Sequence, residues 1–148
     1  MSSTHLNLHY HLIFSTKDRK PLIDLTWQDK LHSYLGGTLR TIGAKAIAIG
    51  GISDHVRLLI EFRATHRLAD LLRESKSSSS KWVHQSIGVK DFAWQDGYAA
   101  FTVSASLKEQ VRHYITLQQQ HHKRITFEQE YLEFLQKSGI EYDERYLW

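Results

Sequence analysis

From Leu6 to Thr16 the chain alternates, with Leu6, Leu8, Tyr10, Leu12 and Phe14 on one side and His5, Asn7, His9 and His11 on the other. A period of two predicts a half-buried strand, and Pro21 marks the turn out of it. Between Asp24 and Ile42 the period lengthens. Trp27, Leu31, Leu35, Leu39 and Ile42 fall on one helical face, with Asp24 or Thr26 as N-cap and Gly43 as C-cap. "AKAIAIGG" predicts a short strand, Gly50-Gly51 a hairpin turn, and Asp54 to Phe62 the partner strand. Leu68, Leu71, Leu72 and Trp82 predict a second helix from about His66 to His84. The low-complexity "SKSSSSK" lies inside it, read either as room for close DNA approach or as a weak, kinked stretch. Gly97 to Ser104 is a fourth strand. Ser104 or Ser106 caps a third helix, Leu107 to His122, and a fourth from Phe127 to Lys137 ends at Gly139.

The order β-α-β-β-α-β followed by two helices predicts an α+β fold. The plan is the ferredoxin-like split β-α-β: one antiparallel sheet, two helices on one face and extra C-terminal helices. Residues 1–148 read as a single domain. Fold alone assigns no activity.

Composition narrows the class. Of 148 residues, 41% are hydrophobic and 24% charged, a globular balance. There is no cysteine, which removes disulfides and thiolate metal sites. "MSSTHLNLHY" lacks the order of a signal peptide, and no apolar run approaches the ~20 residues of a membrane span. A soluble, cytoplasmic protein with no membrane partner is expected. The net charge of +3 permits a nucleic-acid partner without demanding one. Basic residues cluster at Lys17, Arg19 and Lys20, at Arg73, Lys76 and Lys81, and at Arg112, Lys123 and Arg124.

Two stretches hold candidate chemistry. In Asp54 to Phe62, parity sends Val56, Leu58, Ile60 and Phe62 toward the helices and leaves His55 and Arg57 on the open sheet face. Two histidines at i and i+2 would offer adjacent imidazoles to one divalent cation. Arg57 stands at the second position, and a guanidinium has no lone pair to donate. In "VRHYITLQQQHH", Tyr114, Gln118 and His121 share a helical face. A tyrosine beside a metal-bound phosphate can act as nucleophile. A solvated or interface face would carry the same spacing.

"YHLIFSTKDRKPLI", "GGISDHVRLLIEF", "LLRESKSSSSKW", "FAWQDGYAAFTVS", "VRHYITLQQQHH" and "YDERYLW" occur in this order. Together they resemble the single-tyrosine HUH transposases of small bacterial insertion sequences and their relatives associated with repeated palindromes. The resemblance implies that His55 is a metal ligand, Gln118 a further ligand and Tyr114 the nucleophile. It implies attack on single-stranded DNA to give a 5′-phosphotyrosine, reversed to join new ends, with Mg²⁺ or Mn²⁺ polarising the phosphate. It also implies a homodimer that recognises DNA hairpins.

Arg57 departs from the family's His-hydrophobic-His. Three accounts stand: an inactive or domesticated DNA-hairpin binder, an arginine that substitutes for the metal's charge, or a ligand drawn from "HYH" at His9 to His11 on the neighbouring first strand. Lys17, Arg19, Lys76, Lys81 and His121 are candidate DNA contacts. Trp94 and Tyr98 are candidate base-stacking platforms, while Phe101 is assigned to the core. The tail from Tyr142 to Trp148 is expected to pack on the body or the dimer. A sheet-face RNA binder is the remoter alternative.

Overall fold

The computed structural model describes residues 3–118 and 127–141. Four strands form one antiparallel sheet in the order β2-β3-β1-β4: β1 His9–Ser15, β2 Lys45–Ile52, β3 His55–Glu61 and β4 Ala99–Val103. Strands β1 and β2, joined through α1 (Leu25–Thr41), lie on either side of β3. This is the expected split β-α-β plan.

One sheet face is the main core. Leu12 and Phe14 of β1 and Val56, Leu58 and Ile60 of β3 pack on Trp27, Leu31, Leu35 and Leu39 of α1 and on Leu71 and Leu72 of α2 (Leu68–Trp82). The helical spacing of α1 puts these four of its residues on the sheet, while Leu25 at its start stays exposed. Asp24 accepts from the Thr26 amide and closes the first turn. Gly43, at φ 83°, takes the left-handed position just past the helix end.

The serine run is unbroken helix. Ser75 and Ser79, four apart, are buried; Ser75 bonds back to the Leu71 carbonyl, and Ser79 accepts the Trp94 indole N–H at 2.9 Å. Small side chains let the 93–97 loop lie against α2. The helix widens into a π turn over Val83–Ile87 before Gly88, φ 89°, ends it. It starts later than expected. His66 stands outside, accepting from the Arg63 amide and donating to the Ile42 carbonyl, both at 2.8 Å.

Two local expectations are corrected. Gly50 and Gly51 lie within β2, and the turn falls on Ser53-Asp54. The glycines answer a packing demand instead: a Cβ on Gly50 would fall on the Ile115 carbonyl oxygen, and one on Gly51 on the His55 carbonyl oxygen. Neither Ser104 nor Ser106 caps α3 (Lys108–Thr116). A 3-10 turn over Ala105–Leu107 precedes it, Leu107 is the N-cap, and the two hydroxyls bond each other at 3.1 Å.

The larger correction concerns the second sheet face, which is covered. Helix α3 packs Ile115 onto Ala48, Leu59 and Val103. Helix α4 (Phe127–Lys137) brings Tyr131 to Ile13 and Ala99, and Phe134 to His11 and Phe101. Alternation places His55 and Arg57 on this face as expected, but beneath helices rather than in solvent. Gly139, φ 67°, follows α4 as the spacing predicts.

Candidate active site

The pairing of β1 with β3 sets Ile13 opposite Arg57 and Ser15 opposite His55. His55, Arg57 and His11 therefore point the same way; Tyr114 of α3 and Gln118, two residues past its end, lie over them. His55 and Arg57 have no exposed surface, Gln118 is 1% exposed and His11 2%. The site is an enclosed polar chamber between the sheet, α3 and α4.

Arg57 organises it. Its Nε donates to Gln118 Oε1 at 3.0 Å, and an η nitrogen donates to His11 Nε2 at 3.3 Å. The other η nitrogen pairs with the Glu130 carboxylate, itself 2% exposed, on α4. The guanidinium also lies 5.4 Å from the Tyr114 ring centroid and 5.1 Å from that of Phe134. Burial pushes Arg57 down to about 10, so it remains a cation at neutral pH.

The histidines are held near neutrality. Burial, with Arg57 and His55 beside it, lowers His11 well below the ordinary imidazole value. Its bond from Arg57 requires the lone pair of a neutral ring, in agreement. His55 bonds Asp54 Oδ1 through Nδ1 at 2.8 Å and approaches Gln118 Oε1 through Nε2 at 3.1 Å. Both partners are acceptors and favour imidazolium. Burial and Arg57 oppose them, and the resultant is downward. Tyr114 is raised by burial, against the pull of Arg57 and a hydrogen bond with the Gln118 side chain. It is a neutral phenol in this chamber.

His55, Tyr114 and Gln118 thus converge within one chain. The divalent metal that the fold family implies does not fit these residues. Arg57 takes the Gln118 oxygen and the His11 lone pair, two of the donors a cation would need, and adds a fixed positive charge among them. Among the described residues, no three or more His, Cys, Asp or Glu side chains are grouped to hold an ion. His9 and His11 do face the chamber side, yet His11 serves Arg57 instead of a metal.

The other candidates divide. Lys76 is turned inward, donating to the carbonyls of Gln95, Asp96 and Gly97 at 2.6, 3.2 and 3.0 Å, so it straps the 95–97 loop to α2. Lys17 and Lys81 are exposed, and Arg19 is half-buried beside Asp18 in a turn where both have positive φ. Trp94, 8% exposed, packs edge-on to Phe14 and Phe92 in the core and offers no stacking platform, whereas Tyr98 is 40% exposed. Phe101 is half-buried under α4. His121 and the tail from Tyr142 lie outside the described residues. Sequence reasoning missed Glu130. Its signal was a carboxylate on the same helical stripe as Tyr131, Phe134 and Leu135.

The chain belongs to the IS200-like transposases, whose family model matches residues 4–118. No curated protein matches it. Among solved structures it is similar to a Deinococcus radiodurans R1 protein assigned as a transposase, at 24% identity and TM-score 0.64, over 78% of this chain and 94% of that one. It is also similar to a REP-associated tyrosine transposase bound to a REP hairpin, at 14% identity and TM-score 0.54, over 78% and 68%. No helix among the described residues is long and apolar enough to cross a membrane.

Proposed function

We propose that this protein binds hairpin-bearing single-stranded DNA as a transposase-class strand-transfer protein, with the metal-dependent cleavage step disabled by Arg57. The observation that carries the reading is the capture of Gln118 Oε1 and His11 Nε2 by the guanidinium. The family's chemistry would have Tyr114 attack a phosphodiester, form a 5′-phosphotyrosine and release a 3′-hydroxyl, with reversal joining new ends. Three features leave that step unsupported here: a neutral phenol, an arginine among the would-be ligands, and a chamber closed by α4. What remains is a DNA-binding member of the family, acting on hairpins alone or as a homodimer.

The convergence of Tyr114, His55 and Gln118 favours a second reading, in which the native chain itself cleaves and rejoins DNA despite Arg57. Labelled single-stranded hairpin DNA incubated with Mn²⁺ separates the two. The native chain is expected to give no denaturation-resistant protein–DNA adduct, Arg57→His to give one, and Arg57→His/Tyr114→Phe to give none. An adduct from the native chain as strong as from Arg57→His would sink the proposal. Hairpin binding itself should weaken steeply with added salt, since phosphate contacts release counterions.

A further inference from the structure

We infer that the chamber is an anion site: Arg57 is its resident cation, the Glu130 carboxylate sits where a phosphate oxyanion binds, and no divalent cation takes part. Assigning that phosphate to single-stranded DNA rests on the reading above. The anion site itself does not.

A planar guanidinium fork matches carboxylate and phosphate oxygens by the same parallel N–H···O geometry. Here the fork is fixed from behind. Gln118 holds Nε and His11 holds one η nitrogen, so the other η nitrogen is aimed at the place Glu130 fills. Among the described residues, the hydrogen bonds that brace Arg57 come from β1 and from Gln118 just past α3, while the carboxylate comes from α4. Cation and counter-ion therefore stand on different elements, and unseating α4 leaves the guanidinium in place with its bracing intact. Around that place stand the Tyr114 ring and the His11 ring, 6.4 Å apart at their centroids, with Phe134 of α4 as the lid over both. An anion admitted there would meet a preset fork and an adjacent phenol, where the metal-dependent members of the fold would present a cation.

Among the described residues, the groups facing Arg57 include His11 from β1, His55 from β3, Tyr114 from α3, Gln118 just past it, and Glu130, Tyr131 and Phe134 from α4. Glu130 is the one carboxylate among these. Exchange of Glu130 for phosphate leaves the negative charge opposite Arg57 in place, so the chamber never holds an uncompensated cation.

The test uses the full chain in EDTA with inorganic phosphate as probe, chloride holding the ionic strength constant. Glu130→Gln should bind phosphate at least tenfold more tightly than the native chain, and Arg57→Gln/Glu130→Gln should lose that gain. Equal phosphate affinity in all three chains overturns the inference. Should Glu130→Gln not fold, the native chain still decides. Phosphate is expected to speed hydrogen exchange of the α4 amides, and no change there overturns the inference as well. Mn²⁺ alone, followed by its electron-spin resonance signal, should remain free beside the native chain. Saturable Mn²⁺ binding would overturn the metal-free half. Labelled hairpin DNA in EDTA supplies the last arm, since its affinity should rise in Glu130→Gln. If phosphate behaves as stated and hairpin affinity ignores both substitutions, the anion site stands and DNA as its source falls.

Discussion

Replacing Glu130 by glutamine should be among the most destabilising single changes this chain can suffer, and the structure sets its size. Arg57 and Glu130 are 0% and 2% exposed. Removing one member of such a pair leaves a buried charge uncompensated, which costs about 3–5 kcal/mol. Coulomb's law agrees: unit charges ~4 Å apart at an effective dielectric of 20 interact by about 4 kcal/mol. Against a total stability of about 5–15 kcal/mol that is a large share. Arg57→Met should also destabilise, by less, because a stranded Glu130 can take up a proton. The double variant Arg57→Met/Glu130→Gln removes both charges and should recover most of the loss, giving a coupling of about 3 kcal/mol. Urea unfolding followed by far-ultraviolet circular dichroism measures all four chains. The native chain and the double variant should share a slope. A reduced slope in Glu130→Gln would mean that α4 has left the sheet to let water reach Arg57, and the loss is then limited to the docking energy of α4. Losses under about 1 kcal/mol in both single variants, adding without coupling, would refute the buried pair.

Other expectations follow from the same geometry. Gly50→Ala drives a methyl group into the Ile115 carbonyl oxygen, so α3 should lift from β2 at a cost of about 1–3 kcal/mol or more; faster hydrogen exchange across α3 would report it, and unchanged exchange would contradict the packing. Ser79→Ala leaves the Trp94 indole N–H without its acceptor and should cost about 1–3 kcal/mol in urea unfolding. His11, held below its ordinary value mainly by burial, binds its proton more readily unfolded than folded. Stability from this group is full above pH 6.5 and falls as pH drops below it, by up to about 1.4 kcal/mol per unit until the folded ring protonates. Urea midpoints at pH 7.5, 6.0 and 5.0 should show this slope weakened in His11→Asn, and an equal slope would clear His11 of the effect.

How much of this was legible in the sequence depends on how local each cause is. Strand parity placed His55 and Arg57 on one face, and helical spacing placed Tyr114 and Gln118 on another, because periodicity is a local property. The neighbouring of β1 and β3 followed from the β-α-β-β-α-β order. What covers a face is not local. Arg57 looked solvent-facing until α4 closed over it, since nothing in "EQEYLEFLQK" announces which sheet face it will meet. The Gly50-Gly51 pair misled for the same reason: glycine reads as a turn, and only the approach of Ile115 from 65 positions away reveals it as clearance. Lys76 counted as surface charge, although its ammonium group is committed to three carbonyls.

The serine run of α2 carries one more consequence. A tract of one repeated residue is a spacer whose thickness is set by side-chain size and whose phase is set by its length. Swapping Ser77 or Ser78 for another short residue leaves the phase untouched. Adding or deleting a single serine turns everything downstream by about 100°, swinging Trp82 away from Tyr34, on which it stacks at 5.0 Å, and Val83 out of the core. Here the fold forgives spelling and punishes counting.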